Sequence, residues 1–253
     1  MARARGDSPK TSRAKEQPSA KAVDVRRALR EKADPEIVKN LKWFFKTGPG
    51  EYGEGDKFIG IKAPPLRAIQ KKYRNLPLED ALSFVQSEYH EERWLGLLYL
   101  TDIYKRGDEK IRARVFKAYL ANTKHINNWD LVDLSAPGII GAHLFERDRK
   151  RLFTLARSRD LWKRRIAIMA TLYFIREKDF NTTLELADIL LLDEQDLIRK
   201  AVGWMLREVG NRDRRVEEKY LKSRYKKMPR TMLRYAIEKF PETLRKRYLT
   251  GNV

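Results

Sequence analysis

The chain has 253 residues, 42% of them hydrophobic, and is long enough to bury a substantial core as one large domain or two small ones. Its 55 Lys and Arg against 35 Asp and Glu leave a net charge of +20, a surplus that points to a polyanion, either nucleic acid or an anionic membrane surface. With no cysteine, the sequence excludes disulfides, thiol catalysis, iron–sulfur clusters and cysteine-based zinc sites, and it fits a cytoplasmic protein.

Residues 1–22 are rich in Ala, Arg, Ser, Lys and Pro without apolar periodicity, and read as a disordered basic tail. No apolar segment follows that would make it a secretory signal, and no apolar run is long enough to span a bilayer, so no membrane partner is expected. From Val23 onward the pattern is helical, with apolar residues recurring at three and four, as in Val38, Leu41 and Phe44 or Phe45. The stretch Thr47-Gly-Pro-Gly-Glu-Tyr-Gly-Glu-Gly-Asp56 lacks the Gly-Lys-Ser/Thr ending of a phosphate-cradling loop and reads as a helix–helix connection. Gly60-Ile-Lys-Ala-Pro-Pro65 then opens the next helix, with proline suited to its first turn. His90, His125 and His143 are too scattered for a local metal-ligand pair, and no Gly-x-Ser-x-Gly elbow appears, so neither metal nor serine-hydrolase chemistry is expected.

An internal repeat follows. Glu92-Arg-Trp-Leu-Gly-Leu-Leu, Trp162-Lys-Arg-Arg-Ile-Ala-Ile and Ile198-Arg-Lys-Ala-Val-Gly-Trp each place cations in the first turns of an apolar helix. Anchored on Trp94, Arg165 and Lys200, the intervals are 71 and 35 residues, so a unit is missing near position 130. There stands Asn127-Asn-Trp-Asp-Leu-Val-Asp133, the one repeat whose cations are replaced by Trp and Asp. A period of this size in a helical chain predicts a right-handed α-solenoid of HEAT-like helical pairs, a single domain over 23–253.

Cations near a helix N-terminus oppose its dipole, yet Arg93, Arg164, Arg165, Arg199 and Lys200 recur there in register. They read either as a solvated face or as a basic track in which side chains and backbone N–H groups converge on phosphates. On the helix after Asp193, Ile198, Val202 and Leu206 form the core stripe with Ala201, Met205 and Val209, while Lys200, Trp204 and Arg207 form a second stripe. Trp204 suits a stacked sugar or base, or packs against the next repeat. Residues 211–248 hold 14 basic and 5 acidic residues interleaved with Tyr220, Tyr225, Tyr235 and Phe240, a footprint for duplex DNA.

Asn127 or Asn128 is a suitable N-cap, and Asp130 lies where a carboxylate favours the helix dipole. Asp133 comes a turn later, beyond the capping positions, on the face of Trp129 and just before Pro137, which kinks or ends the helix. Taken alone, it reads as an ion-pair partner for Arg165 or as a functional carboxylate.

The motifs Trp129-Asp-Leu-Val-Asp133, Leu161-Trp-Lys-Arg-Arg-Ile-Ala-Ile168 and Lys200-Ala-Val-Gly-Trp-Met-Leu-Arg-Glu208, with Phe58-Ile-Gly-Ile-Lys-Ala-Pro64, resemble those of the AlkD-type DNA alkylation repair glycosylases, over roughly residues 36–245. The resemblance implies that Asp133 is the catalytic carboxylate, that Trp129 and Trp204 line the lesion site, and that Arg165 and Arg207 contact DNA. Lys200, Arg164 and Arg93 join them from the repeat pattern. Lys62, at a loop position where the family also carries Gln, completes the set. The long basic tail is a departure from compact family members.

What the resemblance implies is excision of N3- or N7-alkylated purines from double-stranded DNA by a monomer with no metal and no organic cofactor. The alkylated base is a cationic leaving group, so one carboxylate suffices to stabilise an oxocarbenium-like sugar. Two alternatives share the basic track: a noncatalytic solenoid binding damaged or branched DNA, and a scaffold binding an acidic protein.

Overall fold

The first helix among the described residues shows why this chain collapses where it does. In α1 (Ala20–Arg30), Ala22, Val25 and Leu29 fall on one face and are fully buried. The structure, a computed structural model, describes residues 20–253. The expected tail therefore lies outside the described residues except for residues 20–22, which form the first turn of α1.

α2 (Pro35–Phe44) is capped by Asp34, whose carboxylate accepts the Glu36 N–H at 2.9 Å, and buries none of its own residues. The glycine-rich stretch after it is the expected connection to α3 (Ala63–Lys72), which starts with the two prolines in its first turn. The carboxylate of Glu91 anchors this connection, accepting the buried backbone N–H groups of Ile59, Gly60 and Ile61 at 2.9, 2.8 and 3.1 Å.

From there the chain runs as helical pairs: α4 (Leu78–Val85) with α5 (His90–Arg106), and α6 (Glu109–Ala121) with α7 (Trp129–Ala136). α7 stops at Pro137 and continues through a π turn, Pro137–Gly141, into the short α8 (Ala142–Leu144). Next come α9 (Lys150–Ala156) with α10 (Leu161–Arg176), α11 (Asn181–Ile189) with α12 (Asp196–Arg212), and α13 (Arg214–Lys222) with α14 (Arg230–Ala236). α15 (Glu242–Thr250) closes the chain.

The second helices of the pairs form a continuous inner layer, α5 on α7, α7 on α10, α10 on α12 and α12 on α14. The core stripe read from α12 is fully buried in this layer. Close approach is set by Gly203, where an added Cβ would come within 2.4 Å of the Met232 carbonyl oxygen on α14. The fold is all-α, as expected of a helical solenoid. Among the described residues there is no β-strand and no helix long and apolar enough to cross a membrane.

Glu91→Ala leaves three buried N–H groups without an acceptor and should lower unfolding free energy by at least about 2 kcal/mol. A urea-unfolding midpoint equal to that of the wild type would contradict this account of the connection.

Candidate active site

The inner helices bring their first turns to one edge, in a common register. The fourth residues of α5, α7, α10 and α12 are Arg93, Val132, Arg164 and Arg199; the fifth are Trp94, Asp133, Arg165 and Lys200. These two positions behave differently.

The fourth-position arginines explain the recurring cations without a phosphate. Arg93 donates from Nη1 to the carbonyls of Ser87 and Glu88 at 3.2 and 3.0 Å, and from Nη2 to Asp56 at 2.5 Å. Arg164 repeats the pattern, with the carbonyls of Ser158 and Arg159 at 3.0 and 2.9 Å and Asp193 at 2.6 Å. Arg199 donates to the Asp193 carbonyl at 2.7 Å. Each satisfies the orphan carbonyls of the turn that joins two paired helices. Arg93 and Arg164 thus have internal partners, and these turns give their shared register a cause within the fold.

At the fifth position Trp94 is buried in the core, whereas Asp133, Arg165 and Lys200 line a cleft of about 650 Å³. Asp133 and Arg165 face each other there in a bidentate pair, Nε to Oδ1 at 2.9 Å and Nη2 to Oδ2 at 2.7 Å. The third arm of Arg165 donates to the Leu197 carbonyl at 2.6 Å, so all three guanidinium nitrogens are engaged, and the residue is only 5% exposed. Burial raises the Asp133 carboxyl above the ordinary aspartate range, and the Arg165 charge opposes that rise. Lys200 lies on the same wall, ion-paired to Asp196 at 2.8 Å.

Two tryptophans complete the cleft. Trp129, first residue of α7, is positioned by the Asn128 cap, whose side chain accepts its N–H at 2.8 Å. Its ring lies against Phe44 and Phe45, with centroids at 5.8 and 5.6 Å. Trp204, on α12, directs its indole N–H to Glu208 at 3.2 Å, and Arg212 holds Glu208 in turn. The sequence-predicted residues Asp133, Trp129, Trp204, Arg165 and Lys200 therefore meet in one cavity.

Four others do not. Arg207 turns to an ion pair with Glu238, and Lys62 is exposed at the start of α3. Arg93 borders a separate polar hollow of about 240 Å³, and Arg164 lies in its turn. In the other direction, Phe44, Lys46 and Tyr52 line the cleft although no sequence signal distinguished them as site residues, and Tyr235, read only as part of the C-terminal basic and aromatic footprint, joins them. Phe44 belonged to an apolar stripe and Tyr52 to a connecting loop, and only the fold turns both toward Trp129. Among the described residues no cluster of three or more His, Cys, Asp or Glu is placed to hold a metal ion.

Behind Trp129 sits a buried charge network. His90 contacts Asp56 through Nδ1 and Asp130 through Nε2, both at 2.9 Å, and its ring packs against Phe45 and Phe58, which stack on each other. Burial alone would lower the His90 pKa, but the Asp130 and Asp56 carboxylates outweigh it and raise it to about 9. Asp56 is held below the usual aspartate value: its own burial opposes this, and His90 and Arg93 prevail.

A model of the DNA alkylation repair enzyme family matches residues 25–240 of this chain. Among solved structures, a predicted DNA alkylation repair enzyme from Enterococcus faecalis superposes with a TM-score of 0.63 at 16% identity, covering 83% of this chain and 98% of that one. That likeness is one of fold. No curated protein matches the chain in sequence.

Because the folded state raises the His90 pKa above its unfolded value near 6.5, its contribution to stability is fully present below pH 6.5 and is lost as pH rises through about 9. Unfolding free energy of the wild type should fall by roughly 3 kcal/mol between those limits, and His90→Gln should flatten that slope. A wild-type stability constant from pH 6 to 10 would contradict the imidazolium.

Proposed function

The chain belongs to the DNA alkylation repair enzyme family, and from that premise we propose that it is a DNA glycosylase removing N3- or N7-alkylated purines from double-stranded DNA, with Asp133 as its catalytic carboxylate. The observation that carries this reading is the Asp133–Arg165 pair facing a cleft walled by Trp129 and Trp204.

An alkylated N3 or N7 makes the purine cationic, so the C1′–N bond breaks with its electron pair going to the base, which departs neutral. No general acid is needed for that step. The deoxyribose is left with oxocarbenium character, and a carboxylate fixed beside it in a cleft shielded from water stabilises that charge without reorganising. Water then adds to C1′ and releases a proton, with Asp133 placed to orient it. The aromatic faces of Trp129 and Trp204 suit a cationic nucleotide. This chemistry calls for neither metal nor organic cofactor, and a monomer carries the whole cleft.

The geometry changes one role assigned by the resemblance. Arg165 already has three internal acceptors, so it is better placed to hold Asp133 ionised and oriented than to clamp a phosphate. Lys46, exposed on the cleft rim with no carboxylate partner among the described residues, and Lys200 are placed to meet the DNA backbone. For Arg207 to do so it must leave Glu238, half-exposed beside it.

A second reading is favoured by the same ion pair: a bidentate, internally satisfied Asp133 is also what a structural crosslink between α7 and α10 looks like, in a protein that binds DNA without cutting it. Base release from duplexes carrying N7-methylguanine or 3-methyladenine separates the two. Asp133→Asn should slow release by about a hundredfold or more, with affinity for undamaged duplex retained. Release by the variant at the wild-type rate would remove Asp133 from catalysis, and no release by either protein from both duplexes would favour the noncatalytic reading.

A further inference from the structure

The charge cluster behind Trp129 joins three segments that are distant in sequence. Both ring nitrogens of His90 face carboxylates, Asp56 of the α2–α3 connection and Asp130 in the first turn of α7, each at 2.9 Å. Ionised carboxylates only accept, and a neutral imidazole has a single N–H, so both contacts are hydrogen bonds only when the ring carries two protons. Arg93, on the same helix as His90, takes the other oxygen of Asp56. Phe45 and Phe58 pack on the ring and bring no charge. With His90 protonated, Asp56, Asp130, His90 and Arg93 are balanced, two charges of each sign.

Loss of that proton does not fall evenly on the two carboxylates. Asp56 keeps Arg93 and the Lys57 N–H, whereas Asp130 is left with the Leu131 N–H of its own turn. Only 16% of the Asp130 side chain reaches solvent, so water replaces little of what is lost. Asp130 follows Trp129 directly and precedes Asp133 by three residues on α7. The Asp133 carboxyl, raised by burial and lowered by Arg165, is pushed up further by the Asp130 charge. An unbalanced Asp130 therefore acts twice: it loosens the turn that carries Trp129, and it makes Asp133 harder to keep ionised.

We propose that His90 is a positioning residue for base release: lodged as an imidazolium between Asp56 and Asp130, it ties the first turn of α7 to the α2–α3 connection and offsets the carboxylate that lies one turn from Asp133. The inference rests on the glycosylase reading and adds to it a residue that lines no part of the cleft and acts through Asp130. On this account the proton held by His90 sets the alkaline edge of activity, and its charge helps to set the acid edge.

Histidine ring ¹⁵N resonances and single-turnover release of N7-methylguanine are followed across the pH range for wild type and Asp130→Asn, with enzyme-free loss subtracted. Burial lowers the pKa of the other two histidines, His125 and His143, so His90 is the ring that stays doubly protonated at neutral pH. Against its own burial, the two carboxylates should hold that proton until about pH 9, and release should fall by about tenfold or more across the same interval. Asp130→Asn removes one of the two carboxylates, so the His90 titration and the alkaline limb should move to lower pH together. His90→Gln should lower the rate, remove the alkaline limb and shift the acid limb upward. Adding Asp130→Asn to His90→Gln should return the acid limb to the wild-type position or below. Should His90→Gln fail to fold, the comparison of wild type with Asp130→Asn decides alone.

A His90 ring with a single proton at neutral pH, or a titration indifferent to Asp130→Asn, would overturn the proposal. So would an alkaline limb that does not follow the His90 titration, or an acid limb of His90→Gln at the wild-type position. With release by wild type intact, any of these results discards the role of His90 alone. No release by wild type discards the glycosylase reading and the proposal with it.

Discussion

The Asp133–Arg165 pair is the contact on which the rest of the site depends. Two opposite charges are withdrawn from water, a cost that their mutual attraction offsets only when every donor and acceptor is used. Here all three guanidinium nitrogens and both carboxylate oxygens are engaged: the carboxylate accepts from two arms, and the remaining arm closes on the Leu197 carbonyl. One salt bridge therefore fastens the first turns of α7, α10 and α12 to one another. It also fixes a carboxylate between two tryptophans, and removing either partner would strand a buried charge at a cost of about 3–5 kcal/mol.

That arrangement gives a different picture of the basic surplus than its magnitude alone suggests. Many arginines and lysines of this chain are spent inside it, on turn carbonyls and on carboxylates such as Asp56, Asp193 and Glu238. The cleft itself is mixed in character, with Arg165, the two aspartates Asp133 and Asp196, aromatic walls, and Lys46 and Lys200. Long-range attraction for a polyanion still follows from the net charge of +20. On the proposed reading, the aromatic faces and carboxylates of the cleft suit a cationic ring better than a phosphate.

Much of this was legible in the sequence, for reasons that differ by residue. The inner helices announced themselves through apolar periodicity, and the core stripe of α12 is buried as its spacing implies. Asp133 stood out because it breaks a repeat, and the repeat register placed it opposite Arg165. The same register left the recurring cations open between a solvated face and a phosphate track, and did not show their partners within the fold. Periodicity shows that positions share a cause without naming it, and the turn carbonyls that Arg93 and Arg164 satisfy are invisible until the paired helices are assembled. Tyr52 and Phe44 were equally hidden, since their side chains reach Trp129 only through contacts distant in sequence. The His90 network, drawn from three separate segments, left no local signature at all.

The central claim is that a buried Asp133, kept ionised by Arg165, controls base release. It is tested most directly by single-turnover release of N7-methylguanine as a function of pH, for wild type and Arg165→Gln. The rate should fall on the acid side as Asp133 takes up a proton, with a midpoint above that of an ordinary aspartate, since burial raises its carboxyl. Removing the guanidinium removes the interaction that opposes that rise, so the acid limb of Arg165→Gln should move to higher pH, and its plateau should remain measurable at alkaline pH. An acid limb at the same pH in both proteins would contradict the account, because the group whose ionisation governs release would then not be the one that Arg165 holds.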